Sequence, residues 1–208
     1  MIVLSELEND ALIEIFNIGV GQAAASMSAI VNEAVRMSVP SITFIHRADA
    51  ARLLRNRVFE PERICGVSQH YEGAFETEAI LMFPEDKSLE IVRLMVGESV
   101  PLAELTDMEQ EAMCEIGNII LNSCVGTLAN IFQRELRGSL PAYHVGTSDE
   151  ILTASGSEPD AVVLMLHIDF VLEKHQIQGY VAFVLDLSAM HDLKAQINQY
   201  IARAMGQA

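Results

Sequence analysis

Two Glu–Asn pairs are the residues of this chain whose types and spacing point to chemistry. Glu14 precedes Asn17 by three positions, and Glu115 precedes Asn118 by the same distance. On a helix, this spacing puts both side chains of a pair on one face. Asn is a poor residue for the middle of a helix because its side chain competes for backbone hydrogen bonds, so its presence in both pairs indicates a function. A neutral carboxamide can hold and orient a water molecule without adding charge.

The two pairs belong to longer polar stripes. The first stripe is Asp10, Glu14, Asn17 and Gly21, and the second is Glu111, Glu115, Asn118 and Asn122. Every surface helix needs solvated polar residues, and this need alone accounts for Asp10 and Glu111. We therefore expect these two carboxylates to be no more than supporting contacts for the Glu–Asn pairs.

The stripes recur because the chain contains an internal repeat. Matched residues lie 101 positions apart: Ser5 and Thr106, Glu8 and Glu109, Ala11 and Ala112, Glu14 and Glu115, Asn17 and Asn118, and Pro40 and Pro141. We interpret the chain as a single domain over residues 1–208 that contains two copies of one unit, at about 1–100 and 101–208. The alternative is two separate small domains, and the lack of a Gly/Ser/Pro-rich linker between the copies argues against it.

Each copy is predicted to begin with a long helix. Ser5-x-x-Glu8 and Thr106-x-x-Glu109 both have the spacing of a capping box, which marks a helix start. The helices are predicted from Glu6 to about Val31 and from Asp107 to about Glu135. Their core-facing residues are predicted as Leu12, Ile15, Gly19, Ala23, Ser26 and Ile30 in the first helix, and Met113, Ile116, Ile120, Val125, Leu128 and Phe132 in the second.

The rest of each copy follows the order strand, short helix or loop, strand, strand, helix. In the first copy these elements are predicted over Met37–His46, Asp49–Asn56, Ile64–Tyr71, Gly73–Phe83 and Lys87–Val96. In the second copy they are predicted as a strand over Ser139–Val145, a polar loop over Gly146–Asp160, strands over Ala161–Leu172 and Ile177–Leu185, and a helix over Ser188–Met205. These elements indicate an α+β fold. We expect two α/β repeats, related by a pseudo-two-fold axis, that share one antiparallel sheet and carry the two long helices side by side on the surface.

Composition excludes several functional classes. The formal net charge of −16 disfavours nucleic acids and anionic membrane surfaces as partners. The N-terminus lacks the basic region of a signal peptide, and apolar runs such as Ala161–Leu166 are much shorter than the ~18 residues of a membrane span. We therefore expect a cytoplasmic protein that does not insert into membranes.

The sequence also lacks the motifs of other enzyme classes. The six His residues show no metal-ligand spacing, so no metal site is expected. Cys65, Cys114 and Cys124 form no CxxC motif, and buried thiols are the expected state. No phosphate-binding glycine loop or GxSxG element is present, which gives a nucleotide-binding enzyme or a nucleophilic hydrolase no support.

With their downstream prolines, the stripes form two matches to one pattern. Asp10-x3-Glu14-x2-Asn17-x22-Pro40 and Glu111-x3-Glu115-x2-Asn118-x22-Pro141 resemble the D/S-x3-E-x2-N-x22-P signature of the CheC/CheX/FliY family of bacterial chemotaxis phosphatases. Glu111 departs from the pattern, which has Asp or Ser there. Two motifs in a chain of this length are similar to CheC, since CheX has one and FliY adds a flagellar switch domain for which this length leaves no room.

The resemblance implies a protein phosphatase that hydrolyses the aspartyl phosphate of a phosphorylated CheY-like response regulator. It implies that Asn17 and Asn118 position the attacking water, and that Glu14 and Glu115 pair with a receiver-domain Lys. Pro40 and Pro141 would shape the chain below the helices. No cofactor of the chain's own is implied, and Mg²⁺ is expected in the partner receiver domain.

Two other functions stay open. The chain could be a non-catalytic adaptor that binds a receiver domain or the receptor deamidase CheD, with which CheC-like proteins are associated, or it could be a flagellar switch component related to FliY. If both sites are active, we expect the second to be modestly faster. Gly19 and Gly21 would either loosen the turn after Asn17 or let a partner approach it more closely, and positioning chemistry rewards rigidity.

Overall fold

Six helices and seven strands make up the parts of the chain that the computed structural model describes, which are residues 4–32, 34–57, 63–96, 101–153, 161–172 and 175–206. The first copy contains α1 (Glu6–Val31), β1 (Val35–His46), α2 (Arg47–Arg57), β2 (Arg63–Gly73), β3 (Thr77–Pro84) and α3 (Glu85–Val96). The second contains α4 (Leu102–Phe132), β4 (Leu136–Gly138), β5 (Ala142–Thr147), α5 (Ser148–Thr153), β6 (Val162–Leu172), β7 (His175–Leu185) and α6 (Leu187–Ala204).

All seven strands form one antiparallel sheet in the order β1-β6-β7-β3-β2-β4, and β5 also pairs with β2. The first strand of each copy therefore lies beside a strand of the other copy. The order reads the same from both edges when each strand is exchanged for its counterpart in the other copy. The α+β class and the shared antiparallel sheet are as predicted, whereas a superposition of the two copies by rotation stays a prediction.

Both faces of the sheet are covered by helices of the described ranges, four on one face and two on the other. The main core lies between the sheet and the helices α1, α3, α4 and α6, and a smaller cluster lies between the other face and α2 and α5. Phe16 of α1 stacks on Phe183 of β7 with their ring centroids 5.3 Å apart. Both long helices are thus fixed on one side of the sheet, and their outer faces remain open.

The two long helices pack directly against each other. A Cβ atom on Gly19 would lie 2.9 Å from Cys124 Cα, so α1 approaches the backbone of α4 at this glycine. Nearby, Thr127 Oγ1 of α4, which donates to Ser123 O of its own helix, lies 3.4 Å from Gln22 Oε1 of α1. The missing side chain of Gly19 is what allows this contact, whereas a looser turn after Asn17 stays a prediction.

Helix α1 has the predicted bounds, and its cap forms as expected. Ser5 N donates to Glu8 Oε2 at 2.6 Å, and Glu8 N donates to Ser5 Oγ at 3.3 Å. The predicted core face is wrong near the C-terminus of α1, where Ser26 and Ile30 are exposed and Met27 is buried instead.

Helix α4 begins earlier than predicted, with Pro101 at its N-cap. The capping box expected at Thr106 and Glu109 is therefore wrong, since both residues lie inside the helix. The Glu109 carboxylate instead accepts hydrogen bonds from Tyr143 Oη at 2.8 Å and from Ser88 Oγ. It thereby ties α4 to α3 and β5.

Two further differences occur in the second copy. The strand expected over Ser139–Val145 begins only at Ala142, as β5, directly after Pro141, and a separate short strand, β4, ends before Ser139. The polar segment expected to be a loop contains α5, whose Ile151 and Leu152 are buried in the smaller cluster. Residues 154–160 of that segment lie outside the described residues.

Helix α4 also contains a stretch, Asp107–Phe132, long and apolar enough to cross a membrane by length and composition, with a mean hydropathy of 1.3. The sequence analysis, which considered only uninterrupted apolar runs, missed it. Half (50%) of its most apolar 18-residue window is buried inside the protein. Packing against α1 and the sheet accounts for its apolar character.

Candidate functional site

The four carboxylates of the polar stripes lie on the open faces of α1 and α4. Asp10, Glu14, Glu111 and Glu115 are all exposed. Among the residues that the structure describes, none of the four has an ion-pair or hydrogen-bond partner. They are therefore available to a cationic side chain of another molecule.

Asn17 is half-buried between α1 and β1, and its carboxamide is bound at both ends. Val39 N donates to Asn17 Oδ1 at 2.9 Å, and Asn17 Nδ2 donates to Val39 O at 3.3 Å and to Ile13 O at 3.0 Å. Both amino protons are thereby used, whereas Oδ1 accepts one bond and keeps a lone-pair direction free.

These bonds explain the spacing between Asn17 and Pro40. The pairing of β1 with β6 is interrupted between Ser38 and Ser41, so Val39 and Pro40 form a bulge on an edge strand. Proline is tolerated at such a position, where the ladder requires no donor. The bulge turns the peptide groups of Val39 toward α1, where Asn17 pairs with them as a neighbouring strand would.

Asn118 is also half-buried but is held by side chains. Its Oδ1 accepts a hydrogen bond of 2.7 Å from Asn122 Nδ2 and one of 3.3 Å from Gln69 Nε2. Both lone-pair directions of this oxygen are occupied, and within the described ranges Nδ2 has no partner. The free end of the carboxamide is thus the amino group in the second site and the oxygen in the first.

Tyr71 closes the hydrogen bonds around Asn118 into a ring. Its hydroxyl lies 3.0 Å from Gln69 Oε1 and 2.9 Å from Asn122 Oδ1 and donates its one proton to either. Burial raises the pKa of the Tyr71 phenol, which keeps the group protonated. We call Gln69, Tyr71, Asn118 and Asn122 the second-site ring.

Geometry at two positions brings this ring together. Cys65, Val67, Gln69 and Tyr71 occupy every second position of β2, so all four face the long helices. Gly117, directly before Asn118, lies against Val67, and a side chain there would overlap it. The glycine therefore lets α4 approach β2 closely enough for Asn118 to reach Gln69.

Sequence analysis placed Asn122 on the polar stripe but missed Gln69 and Tyr71. A signal was present, because Gln69 is a polar residue in the core-facing register of an apolar strand, and it is only 2% exposed. Such a residue must find buried hydrogen-bond partners.

Pro40 is exposed in the bulge, and Pro141 is half-buried at the start of β5. The segment before Pro141 is fixed to β2, because Gln69 Nε2 donates to Ser139 O at 2.9 Å and Ser139 N donates to His70 O at 2.8 Å. In each copy the chain before the proline is therefore linked to the Asn, directly in the first and through Gln69 in the second.

Cysteine chemistry has no support at these sites. All three cysteines are free, and burial raises the pKa of the Cys65 and Cys124 thiols to about 12. Burial also raises the pKa of the Cys114 thiol, which lies next to Glu115. Within the described ranges, no three His, Cys, Asp or Glu side chains are grouped so as to hold a metal ion.

The Glu–Asn pairs lie on an open helix surface. Two clefts of about 390 and 450 Å³ lie elsewhere, near the C-terminus of α4, and Arg134 lines both. None of the stripe residues lines either cleft. An open surface with unpaired carboxylates suits a macromolecular partner better than a small molecule.

The chain is similar in sequence to two bacterial phosphatases. No protein-family model matches the chain. The chain is 27% identical over 140 residues to the flagellar motor switch phosphatase FliY of Bacillus subtilis, a match that covers 66% of this chain and 35% of FliY. It is 23% identical over 143 residues to the CheY-P phosphatase CheC of the same organism, covering 66% of each. The chain thus spans about a third of the FliY relative.

Solved structures show the same fold at low sequence identity. Thermotoga maritima FliY matches with a TM-score of 0.75 and 18% identity over 96% of this chain and 100% of that structure. The FliM of a FliM–SpeE complex from Helicobacter pylori matches at 0.71 and 8% over 95% and 98%. A CheX–CheY–BeF3–Mg²⁺ complex from Borrelia burgdorferi matches at 0.52 and 17% over 84% and 97%. The chain is therefore homologous to the CheC-type phosphatases FliY and CheC, and it has the fold that FliY and CheX share.

Proposed function

We propose that this protein hydrolyses the aspartyl phosphate of a phosphorylated CheY-like receiver domain, with Asn17 and Asn118 as the water-positioning residues of two sites. One observation carries the proposal: two exposed Glu–Asn surfaces on adjacent long helices, in a chain homologous to two phosphatases. The Borrelia complex, which contains CheX and CheY, supports a CheY-like partner.

The reaction needs positioning more than new chemical groups. The water oxygen forms a bond to phosphorus, the bond from phosphorus to the aspartyl oxygen breaks, and its electron pair leaves with the carboxylate. The water gives up a proton to the solvent or the released phosphate. Catalysis of phosphoryl transfer comes mostly from alignment and electrostatics, and a carboxamide that fixes the water supplies alignment.

Glu14 and Glu115 would bind the receiver domain. Each is exposed one helical turn from its Asn and lacks a cationic partner among the described residues. A receiver-domain Lys would complete an ion pair with each and bring the phosphoryl group over the Asn. Asp10 and Glu111, one turn further toward the N-terminus, would be supporting contacts.

The proposed function also includes a cofactor assignment, a cellular location and further partners. The chain supplies no cofactor, and Mg²⁺ belongs to the partner receiver domain. The working place is the cytoplasm, without membrane insertion, and CheD is a second partner that the resemblance implies. Recognition of another acidic protein would depend on local contacts, because the net charge of −16 gives no long-range attraction.

A second candidate function is a non-catalytic adaptor in the chemotaxis or flagellar switch machinery. Two observations favour it: the fold likeness to FliM, and the use of both amino protons of Asn17 in hydrogen bonds within the protein, one to Ile13 O of α1 and one to Val39 O of the β1 bulge. In this case Asn17 would be a structural residue, and the helices would only dock a partner.

Turnover distinguishes the two functions. A CheY-like receiver domain is phosphorylated with a small-molecule phosphodonor, the donor is removed, and phosphate release is followed after adding sub-stoichiometric protein. We expect the protein to accelerate release over many turnovers. The double variant Asn17→Ala/Asn118→Ala is expected to lose activity by ~10²–10³ or more.

The matched control is Asn130→Ala, which removes an exposed Asn from the same helix as Asn118. It should retain full activity. Binding of the receiver domain without faster phosphate release, or full activity in the double variant, would favour the adaptor.

A further inference from the structure

The second-site ring differs from the way the first site holds its Asn. In the first site, Asn17 is bound by main-chain atoms of Ile13 and Val39. In the second, Asn118 Oδ1 is bound only by the side chains of Gln69 and Asn122. Gly21 occupies the first-site position that corresponds to Asn122, so the first site has no side chain there.

Gln69 is the buried member of the ring that fixes the direction of Asn118. Asn122 is exposed, so its amide can exchange its bond for water, whereas Gln69 is 2% exposed and cannot. Its Nε2 donates to Ser139 O at 2.9 Å, so turning the amide over would lose this bond and set Gln69 Oε1 against the carbonyl oxygen. Its Nε2 therefore always presents a donor to Asn118.

This donor determines which end of Asn118 faces a partner. With Gln69 Nε2 on one side, the Asn118 carboxamide must keep its oxygen toward the ring, since the reverse orientation would set two amino groups against each other. The amino group then points away from the ring, free to hold the oxygen of a water molecule. The second lone pair of that water remains available for attack.

We propose that Gln69, supported by Tyr71, is a positioning residue for Asn118 and belongs to the second site alone. This inference rests on the proposed phosphatase function. It implies that the first copy of the repeat supplies, through β2, a residue that the second copy's site needs.

A double-mutant cycle tests the proposal. Gln69→Leu is made in the Asn17→Ala background, in which only the second site is intact, and in the Asn118→Ala background, in which only the first is. We expect kcat to fall at least tenfold with KM unchanged in the Asn17→Ala background. In the Asn118→Ala background, where the second site is already inactive, Gln69→Leu should cause no further fall in kcat. Equal loss in both backgrounds, or no loss in the first, would overturn the proposal.

Tyr71→Phe is the second variant, because it keeps the shape of the ring and removes only the hydroxyl. A smaller loss of kcat, confined to the second site, is expected. Gln178→Leu, which removes an exposed Gln from β7, serves as the matched control and should change neither site.

A readout independent of turnover separates this proposal from the proposed function. The side-chain amide resonances of Asn118 and Asn17 are compared by ¹⁵N NMR in the wild type and in Gln69→Leu. Asn118 should shift and Asn17 should not; an unchanged Asn118 resonance would refute the positioning role. If the wild-type protein shows no turnover but Gln69→Leu still shifts the Asn118 resonance, the phosphatase function is refuted and the contact between Gln69 and Asn118 is not.

Discussion

At the scale of single residues, the two motif asparagines have the same sequence context but different hydrogen-bond partners. The sequence identified Asn17 and Asn118 as unusual because mid-helix Asn is costly. It could not identify their partners, because Val39 reaches Asn17 only through a bulge in β1, and Gln69 reaches Asn118 only through the packing of α4 on β2. Both contacts depend on tertiary structure rather than on local propensity.

This difference predicts unequal stability losses. Asn17→Ala leaves the N–H and C=O of Val39, which is 1% exposed, without partners, and should lower the free energy of unfolding by about 2–3 kcal/mol. Asn118→Ala should cost under about 1 kcal/mol, since Asn122 can bind water and Gln69 keeps Ser139. Urea denaturation of both variants measures the difference. Equal losses would mean that the Val39 contacts add nothing.

At the scale of elements, the sequence predicted the bounds of α1 but neither the start of α4 nor the presence of α5. Ser5 and Glu8 marked the start of α1, which has the predicted bounds. The start of α4 was predicted wrongly because Pro101 caps it without a side-chain hydrogen bond and the true first turn carries no such signal. The short strand β4 and the later start of β5 were also missed, since they depend on how Ser139 is held against β2.

The contact between α1 and α4 gives a prediction for a matched glycine pair. Gly19→Ala should lower the free energy of unfolding by about 1–2 kcal/mol, because the new methyl group would press on the backbone of Cys124. Gly21→Ala should raise it by up to about 1 kcal/mol, because no atom lies within 4 Å of its Cβ position and Ala is the better helix former. Chemical denaturation measures both, and a gain in both variants would contradict the close approach of the helices.

At the scale of the whole molecule, Glu8 joins the first helix to the last. Its buried carboxylate accepts from Ser5 N and lies 3.5 Å from Lys194 Nζ of α6. Burial raises the pKa of Glu8, but hydrogen bonds from Ser5 and Asn198 and the charge of Lys194 together hold the pKa below its ordinary value of 4.5.

The direction of this shift predicts a pH dependence. Because the pKa is lower in the folded state, the contribution of Glu8 is fully present above the unfolded-state pKa and is lost as pH falls through the folded-state pKa. At neutral pH, Glu8→Gln should lower the free energy of unfolding by about 1–2 kcal/mol. The difference from wild type should shrink below pH 4.5.

Glu6→Gln is the control for Glu8→Gln. Glu6 is in the same helical turn but is exposed, so it shares the interaction with the helix dipole and lacks the buried contacts. Denaturation at neutral and acidic pH should show a much smaller effect. A Glu8→Gln loss that does not change with pH would contradict the ionic contribution.

The order of strands in the sheet also constrains how the chain is made. Among the described strands, β1 pairs with β6 alone, more than a hundred residues further along the chain, so this strand partner is absent until most of the polypeptide has been synthesised. At translation rates of about 5–20 residues per second, this delay is roughly 5–25 s. During that time a twelve-residue strand with apolar side chains on one face lacks this partner. Until β6 is made, the sheet order leaves α1, which precedes β1 in the chain and packs against it, as the element that covers this apolar face.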